Sequence, residues 1–248
     1  MGGTLHQSDA DEQLRVAEPP GPLISVVVPV YNVEPYVREC LESIRSQTYD
    51  GWEAIVVDDC STDGSMRVVS EAVASDGRFR VVHLTTNSGL GNARNVGIAE
   101  AKGDYIMLLD SDDYLEPFAL ERVAQVVAEV PEPDIVWFDY AREWWSGKRT
   151  RNMYGTILGS VGPGPTTIAQ NTELLQILPI APNKAYRRAY LESVSLPFPT
   201  GLYEDVPFVP RPAQRSVDRY HRRGSLHLSA AQTREHPEGE QQGSFRDP

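Results

Sequence analysis

Along the first 140 residues, short apolar runs alternate with segments in which apolar residues recur every three or four positions. Runs such as Leu23–Val30 (LISVVVPV) are rich in β-branched residues, which is typical of strands buried on both faces. The intervening segments predict amphipathic helices, because their apolar residues share one face. The pattern predicts strands at Leu23–Val30, Trp52–Asp59, Phe79–Leu84, from Tyr105 onward and at Asp134–Tyr140, with helices at about 36–47, 65–74, 90–101 and 120–130.

This alternation predicts an α/β fold with a mainly parallel sheet and helices on both faces. In such sheets, ligands bind beyond the carboxyl ends of the strands. Four polar clusters follow predicted strands and are therefore expected at the same edge of the sheet. They are Tyr31-Asn32, Asp58-Asp59, the segment 87–95 and Asp110–Asp113.

The regular pattern covers only part of the chain, which suggests a division into segments. Residues 1–22 are polar, end in Glu-Pro-Pro-Gly-Pro and are expected to form a disordered tail. One domain is predicted at 23–208, with a first half at about 23–140 and a second half at about 141–208. In the second half a helix is expected from about Thr172 to Leu178. Residues 209–248 have no usable periodicity and are expected to be irregular.

Composition narrows the range of partners. The 248 residues are 40% hydrophobic, enough for one substantial core, and the formal net charge is -12 at pH 7. A chain this acidic is a poor candidate for binding nucleic acid. No apolar run approaches roughly 18 residues, so no integral membrane segment is predicted. Cys40 and Cys60 have no metal-binding spacing, and free thiols in a reducing cytoplasm are expected.

The stretch YIMLLDSDD (Tyr105–Asp113) ends a buried strand with three carboxylates. Crowded carboxylates repel one another unless a cation lies between them. Asp110 and Asp112 point to the same side of an extended chain, and carboxylates with substrate phosphates are ligands that Mg²⁺ or Mn²⁺ prefers. We therefore predict a divalent metal here. The alternative is a solvated strand end at which Asp113 caps the next helix.

Two further positions favour a planar, hydroxyl-bearing ligand. Asp59 ends the second strand, where a carboxylate can accept a hydrogen bond from a base or a ribose. The alternative is an Asx turn into the next helix, with Thr62 or Asp63 as the cap. Tyr31 follows the first strand and could stack on a base. A core aromatic is an equally good interpretation of Tyr31.

The stretch NSGLGNARNVG (87–97) places glycines near a helix start, where backbone N–H groups suit a phosphate. It does not fit the dinucleotide-binding pattern GxGxxG, because the sixth position is Arg94 and the stretch follows the third strand. Arg94 is expected to bind a diphosphate or to pair with the aspartates. His83 lies within a predicted strand and is expected to be a core histidine, which disfavours histidine-based catalysis.

The second half adds a candidate base and a group of cations. Glu204-Asp205, in FPTGLYEDVPF, supplies a carboxylate far along the chain from the predicted metal site, as a general base requires. The alternative is an ordinary surface loop. The stretch APNKAYRR offers Lys184, Arg187 and Arg188 for phosphates, and its alternative is a solvated helix that starts at a proline.

Four segments occur in an order that resembles family 2 glycosyltransferases of the GT-A fold. They are SVVVPVYN, VVDDCSTDGS, NSGLGNARNVGIAEAKGDYIMLLDSDD and YEDVPF, and the resemblance spans about residues 23–208. The family implies an inverting, metal-dependent transferase that uses a nucleotide-diphosphate sugar, with a UDP-sugar as the first expectation and Mn²⁺ or Mg²⁺ as the ion. The two halves of the domain would then hold the nucleotide and the acceptor, respectively.

The resemblance also implies residue roles. Tyr31 and Asp59 would contact the base, and Asp110 would contact the ribose. Asp112 would bind the metal that holds the diphosphate, and Asp205 would deprotonate the acceptor hydroxyl. Further nucleotide contacts are assigned to Pro29, Asn32 and Arg94, and acceptor or phosphate contacts to Glu204, Lys184 and Trp137.

The acceptor side carries a narrower resemblance. FDYAREWWSGKRTRN and APNKAYRR are similar to glycosyltransferase domains found beside CDP-glycerol glycerophosphotransferases in actinobacteria. This implies synthesis of a cell-surface polysaccharide or teichoic-acid-like polymer, with a glycan or lipid-linked acceptor. Trp137, Trp144 and Trp145 could stack on an acceptor sugar, and packing in the core or at an interface is an equally good interpretation. Such an acceptor is compatible with peripheral attachment at the inner face of the membrane.

Two other functions stay open. One is a truncated module that binds a nucleotide sugar without turnover. The other is a nucleotidyltransferase, which is disfavoured because no glycine-rich loop follows the first strand.

The chain departs from the family pattern after Phe208. A helix, a strand and a Tyr-x-Tyr-Arg-type stretch are expected there, whereas the sequence continues VPRPAQRSVDRYHRR. Degenerate codons permit family-like segments in a frame shifted by one base, so we hypothesise a frameshift near the codons for Phe208 to Arg211. The alternative is a native arginine-rich tail. Resequencing tests the hypothesis, and a clean read in the present frame contradicts it.

Overall fold

The computed structural model describes residues 21–144, 148–151, 155–161, 164–167, 169–176, 180–195, 197–199, 201 and 217–219. Its first part alternates strands and helices as the sequence predicts. The elements are β1 (Ile24–Val30), α1 (Val37–Arg45), β2 (Trp52–Asp58), α2 (Ser65–Val73), β3 (Phe79–His83), α3 (Leu90–Glu100), β4 (Tyr105–Leu108), α4 (Ala119–Glu129) and β5 (Ile135–Trp137).

The later elements are shorter. They are β6 (Ala141–Glu143), β7 (Arg149–Arg151), α5 (Gly155–Ser160), β8 (Gly164–Thr166), a 3-10 helix (Thr172–Gln176), β9 (Lys184–Arg187), α6 (Arg188–Val194) and β10 (Val217–Arg219). The helix predicted to run from Thr172 to Leu178 is therefore a short 3-10 helix in its described part. Strands β6 and β7 form an antiparallel hairpin of their own.

Eight strands form one sheet in the order β3-β2-β1-β4-β9-β5-β10-β8. Strands β1 to β4 are parallel to one another, and β9 lies antiparallel between β4 and β5. The predicted mainly parallel sheet is confirmed. Because all seven residues of β1 are buried, this strand needs helices on both of its faces.

The side chains of the sheet divide between two hydrophobic cores. Val26, Val28 and Val30 of β1 pack in the core that also receives α1, α2 and α4. Val27 points the other way, into the core formed with α3 and α6. This alternation follows from the two-residue period of a strand. The helices thus cover both faces, as predicted.

The stretch 184–187 differs from the helical alternative considered for APNKAYRR. It forms β9, and a helix begins only at Arg188. Ala185 packs in one core and Tyr186 in the other, which is the period of a strand. Proline and a run of cations suggested a solvated helix, but the antiparallel place between β4 and β5 requires a buried strand.

The C-terminal tail contributes one short strand to the sheet. Strand β10 pairs in parallel with β5 and antiparallel with β8, although the sequence there has no apolar periodicity. Backbone pairing with an open sheet edge explains a strand without a side-chain pattern. The rest of the tail, the N-terminal segment 1–20 and the pair Glu204-Asp205 lie outside the described residues. In the part of the chain that is described, none of the helices has the length and apolarity to cross a membrane.

Candidate functional site

A cavity of about 350 Å³ opens at the carboxyl ends of β1 and β4, beside the start of α3. Backbone hydrogen bonds join the residues after β2 and β4 to β1. Asp59 N donates to Val30 O at 2.9 Å, and Leu109 N donates to Val27 O at 3.0 Å. The lining combines predicted site residues with the loop before α3. The residues are Pro29, Val30, Tyr31, Val33, Asp59, Asn87, Gly89, Leu90, Ala93, Asp110, Ser111 and Asp112.

Tyr31 lies at the mouth of this cavity. Its side chain is 43% exposed, so the interpretation as a core aromatic is wrong. The ring follows β1 directly and borders the same space as Asp59 and Asp110. An exposed aromatic face beside buried carboxylates can stack on a planar group.

Asp59 fixes the loop that leads into α3. Its carboxylate is 3% exposed; Oδ1 accepts hydrogen bonds from Ser88 N at 2.8 Å and Ser88 Oγ at 3.0 Å, and Oδ2 accepts one from Gly89 N at 2.8 Å. Gly89 has a φ of 86°, which a residue with a side chain rarely adopts. A carboxylate has about four acceptor positions, so three are engaged by the loop and one remains for a ligand. This contact between a strand end and a loop could not be predicted from the sequence.

Asn32 connects the loops after β1 and β2. Its Oδ1 accepts hydrogen bonds from Thr62 N at 2.8 Å and Asp63 N at 3.3 Å. Its side chain is not part of the cavity lining. Among the predicted nucleotide contacts, Asn32 therefore serves the shape of the loops beside the cavity.

The Asx turns considered for this region exist beside the site. Asp58 Oδ1 accepts from Ser61 N at 2.9 Å, and Asp63 Oδ1 accepts from Ser65 N at 2.9 Å at the start of α2. Burial alone would raise the pKa of Asp63, but hydrogen bonds from Ser65 lower it below its ordinary value. These turns use Asp58 and Asp63, which leaves Asp59 for the cavity.

His83 corrects one expectation. It ends β3 with an exposed side chain, and its Nδ1 lies 3.1 Å from Asp58 Oδ2. The core histidine predicted from the apolar strand FRVVHL is wrong, because the last residue of that strand has already reached the edge of the sheet.

Arg94 and Asp110 form an ion pair at the inner wall of the cavity. Arg94 is 1% exposed, and its Nη2 donates to Asp110 Oδ1 at 2.7 Å. The predicted alternative in which Arg94 pairs with an aspartate is therefore observed. Burying a guanidinium is costly unless a carboxylate compensates it, so this pair fixes the orientation of Asp110.

The carboxylates that follow β4 adopt different environments. Asp113 N donates to Asp110 O at 3.0 Å, which closes a turn. Asp113 is buried and does not cap α4, since that helix begins at Ala119. Asp112 is half-buried and lines the cavity with Asp110. The helix-capping alternative for Asp113 is thus wrong.

Oxygen donors at this wall suit a hard cation. Within the described ranges, no three His, Cys, Asp or Glu side chains come together as a complete metal site. Mg²⁺ and Mn²⁺ bound with a nucleotide usually need only one or two protein carboxylates, because phosphates and waters supply the other ligands. Asp112, with Asp110 beside it, fits that pattern.

A buried thiol lies beneath the aspartate turn. Cys40 of α1 is 1% exposed, and its Sγ lies 3.7 Å from Asp110 O. Burial, followed by the charges of Asp113, Asp112 and Asp110, raises the pKa of the thiol well above its ordinary value. Cys40 therefore stays neutral and packs under the turn.

Two predicted acceptor contacts meet away from the cavity. Lys184 Nζ lies 4.6 Å from the centroid of the Trp137 ring, and both side chains are buried. The ammonium also donates to Ile180 O and Asn183 Oδ1. Neither residue lines the 350 Å³ cavity.

A polar network ties the β6–β7 hairpin to the aspartate segment. Tyr114 Oη donates to Glu143 Oε2 at 3.0 Å and accepts from Arg149 Nη2 at 2.9 Å. Burial and the bond to Glu143 raise the pKa of Tyr114 to about 12. Trp144, at the end of β6, is 37% exposed. Tyr114 was not predicted to belong to this region, although its position directly after the aspartates could have indicated it.

Comparison with known proteins identifies the family. Residues 25–195 match the family described as Glycosyl transferase family 2. The chain belongs to this family. The putative glycosyltransferase EpsH of Bacillus subtilis is 38% identical over 178 residues, a match that covers 72% of this chain and 51% of EpsH. The chain therefore spans about half of that relative.

Two solved structures share the fold of this family 2 member. The Staphylococcus aureus protein TarS, in complex with UDP-GlcNAc, has a TM-score of 0.64 and 27% identity, and the match covers 85% of this chain and 61% of that chain. The mannosyltransferase PcManGT from Pyrobaculum calidifontis, in complex with GDP-Man and Mn²⁺, has a TM-score of 0.58 and 25% identity over 76% of this chain and 51% of that chain.

Proposed function

We propose that this chain carries the catalytic domain of an inverting glycosyltransferase that moves a sugar from a nucleotide-diphosphate sugar to an acceptor hydroxyl. The observation that carries the proposal is one cavity wall on which Tyr31, Asp59, Asp110 and Asp112 converge from the ends of three strands. An aromatic face, acceptor oxygens and a cation site together match the three parts of a nucleoside diphosphate.

The nucleoside binds between Tyr31 and Asp59 in this proposal. Tyr31 stacks on the base with Pro29 behind it, and the remaining acceptor position of Asp59 takes a hydrogen bond from a base N–H. Asp110 accepts from a ribose hydroxyl while Arg94 holds its other oxygen in place. A UDP-sugar is the first candidate donor, since TarS was solved with UDP-GlcNAc.

Asp112 is the proposed metal ligand, with Mn²⁺ or Mg²⁺ as the ion; PcManGT was solved with Mn²⁺. When bound, the ion stabilises the negative charge that develops on the leaving diphosphate. Asp112 would hold the ion, with Asp110 lining the same cavity. The electrostatic contribution of the site thus depends on a single half-buried carboxylate.

Asp205 is the proposed general base; it lies outside the described residues. Its carboxylate accepts the proton of the acceptor hydroxyl while the oxygen attacks the anomeric carbon from the face opposite the leaving diphosphate. The bond to the diphosphate breaks as the new glycosidic bond forms, so the configuration inverts.

The acceptor in this proposal is a glycan or a lipid-linked precursor of a cell-surface polymer. TarS bears the name poly(ribitol-phosphate) beta-N-acetylglucosaminyltransferase. On this chain, the exposed ring of Trp144 is suited to stacking on a sugar, whereas Trp137 and Lys184 are buried and pack against each other. Glu204, beside Asp205 in the sequence, is a further proposed contact. A cytoplasmic location agrees with the free thiols Cys40 and Cys60.

Release of nucleoside diphosphate from UDP-GlcNAc, with a teichoic-acid-type polymer as acceptor, tests this proposal. The wild type is expected to release UDP, and Asp205→Asn is expected to lose about 100-fold or more of that rate while it still binds UDP. Binding of UDP without turnover in the wild type would favour the binding module instead. Pyrophosphate release from UTP and a sugar phosphate would favour a nucleotidyltransferase.

A further inference from the structure

Arg94 and Asn95, which are adjacent in α3, form hydrogen bonds with residues that are far apart in the sequence. Arg94 bonds to Asp110 at the nucleotide side of the cavity. Asn95 points toward the chain after α6 and bonds to Phe198. Consecutive helical residues differ by about 100° in direction, so one turn of α3 contacts both Asp110 and Phe198.

The side-chain amide of Asn95 forms two hydrogen bonds with the backbone of Phe198, one as donor and one as acceptor. Asn95 Nδ2 donates to Phe198 O at 2.9 Å, and Asn95 Oδ1 accepts from Phe198 N at 2.8 Å. Both polar groups of one backbone residue are therefore satisfied by one side chain that is 103 positions away. An aspartate, which cannot donate, or an apolar residue would leave at least one of these groups without that partner.

The side chain of Phe198 strengthens the same anchor. It is 3% exposed and belongs to the core formed by Val27, Ile55 and Ala93, among others. The Arg94 guanidinium lies 5.3 Å from the centroid of its ring, within the range of a cation–π contact. Phe198 is thus held through its backbone by Asn95 and through its ring by Arg94.

Helix α3 is a rigid base for this anchor. At Gly97, a Cβ would lie 2.2 Å from Val27 Cγ1, so the helix sits directly on β1. Strand β1 ends at Val30, directly before Tyr31 at the cavity. Movement of α3 would therefore disturb the sheet, and Asn95 and Arg94 keep a fixed spacing.

We propose that Asn95 is a positioning residue for transfer: it anchors Phe198, which precedes Asp205 in the sequence, to the helix whose Arg94 holds Asp110. The inference rests on the proposed function, because Asp205 follows Phe198 by seven residues in the sequence. A chain of seven residues spans at most about 25 Å, so Phe198 sets only the outer limit of the distance between this anchor and that carboxylate. Reacting groups that are displaced by about 1 Å can lose roughly 100-fold in rate.

The test compares Asn95→Ala and Asn95→Asp with wild type in three measurements: kcat for transfer, affinity for UDP with Mn²⁺, and melting temperature. We expect kcat to fall at least tenfold in both variants, while the affinity for UDP stays within twofold. Val123→Ala in α4 is the control, since it truncates the opposite core and touches neither side of the site. An unchanged kcat, or an equal loss in a control of equal melting temperature, overturns the proposal.

Amide exchange separates failure of this inference from failure of the proposed function. In wild type the peptide that contains Phe198 is expected to exchange slowly, and in Asn95→Ala at least tenfold faster, while a β1 peptide is unchanged. If the wild type binds UDP but transfers nothing, the transferase proposal fails, and faster exchange still supports the anchor. Unchanged exchange at Phe198 overturns the anchor whatever the activity.

Discussion

At the scale of single residues, Arg94 places a positive charge inside an acidic molecule. Its guanidinium is 1% exposed, while the Asp110 side chain that it bonds keeps 30% of its surface in solvent. Removing one partner of a buried pair leaves the other without compensation and costs several kcal/mol. Because Asp110 is partly solvated, the cost is expected at the lower end of that range.

We predict that Arg94→Ala lowers the free energy of unfolding by about 3 kcal/mol, measured by urea denaturation. Arg38→Ala is the matched control, because Arg38 pairs with Glu71 at the surface, where both side chains are more than 40% exposed. That control is expected to change stability by less than about 1 kcal/mol. Equal effects of the two substitutions would contradict the structural role of Arg94.

Asp76 gives a prediction about pH. Hydrogen bonds from Arg78 are the main cause that lowers the pKa of Asp76 below its ordinary value of 3.8. A depressed pKa contributes stability above the unfolded value, and this contribution is lost as the pH falls through the folded value. Asp76→Asn is expected to lose roughly 1 kcal/mol at pH 7, and its difference from wild type is expected to shrink as the pH falls below 3.8.

Urea denaturation from pH 2.5 to 7 measures that dependence. Asp50→Asn serves as the control, since the Asp50 side chain is 97% exposed and lies 3.4 Å from the same arginine. A stability difference between Asp76→Asn and wild type that does not shrink at low pH would show that the depressed pKa is not its source.

Of the residues around the cavity, some could be predicted from the sequence and others could not. The aspartates after β2 and β4 were identified because a carboxylate at the end of a buried strand is conspicuous. The direction of Asn32 and the contact of Asp59 with Ser88 and Gly89 depend on how two loops meet. Loops that approach one another across the sheet leave no periodic signal, so these partners could not be predicted from the sequence.

At the scale of elements, α3 sits closest to the sheet. Gly97→Ala would bring a methyl group within 2.2 Å of Val27 Cγ1 and 3.2 Å of Val57 Cγ2. Alanine favours helices over glycine by about 1 kcal/mol, but overpacking a core typically costs 1–3 kcal/mol or more. The clash therefore dominates, and Gly97→Ala is expected to be destabilising in a chemical denaturation experiment.

Gly159→Ala in α5 is the matched control for that substitution. Nothing lies within 4 Å of the Cβ that it would add, so stability is expected to stay level or to rise. A Gly97→Ala variant as stable as wild type would mean that α3 does not sit on β1 as described.

The first nine elements of the fold were predicted and β9 was not. Strands β1 and β2 could be predicted from their β-branched runs, since both faces of these strands are buried. Strand β9 has a buried lysine and an arginine at its ends, and these charges favoured a solvated helix. Lys184 contacts the neighbouring Asn183 and the ring of Trp137, and Arg187 pairs with Asp134. Trp137 and Asp134 lie elsewhere in the chain, so the sequence near β9 does not reveal them.

At the scale of the whole molecule, an excess of acidic groups surrounds a site proposed for an anion. The net charge of -12 opposes binding of a nucleoside diphosphate unless a cation accompanies it. Asp110 and Asp112 add two carboxylates at the cavity itself. Binding is therefore expected to depend strongly on a divalent ion.

The most direct measurement is the melting temperature of the whole chain with UDP, CDP or GDP, each with and without Mn²⁺. A ligand near 100 times its Kd is expected to raise the melting temperature by about 5 °C or more, and only with the ion. Asp112→Ala is expected to abolish the shift, whereas Glu129→Ala, at the exposed end of α4, is expected to keep it. No shift with any of the three nucleotides, or an equal shift in Asp112→Ala, would contradict a metal-dependent nucleotide site in this cavity.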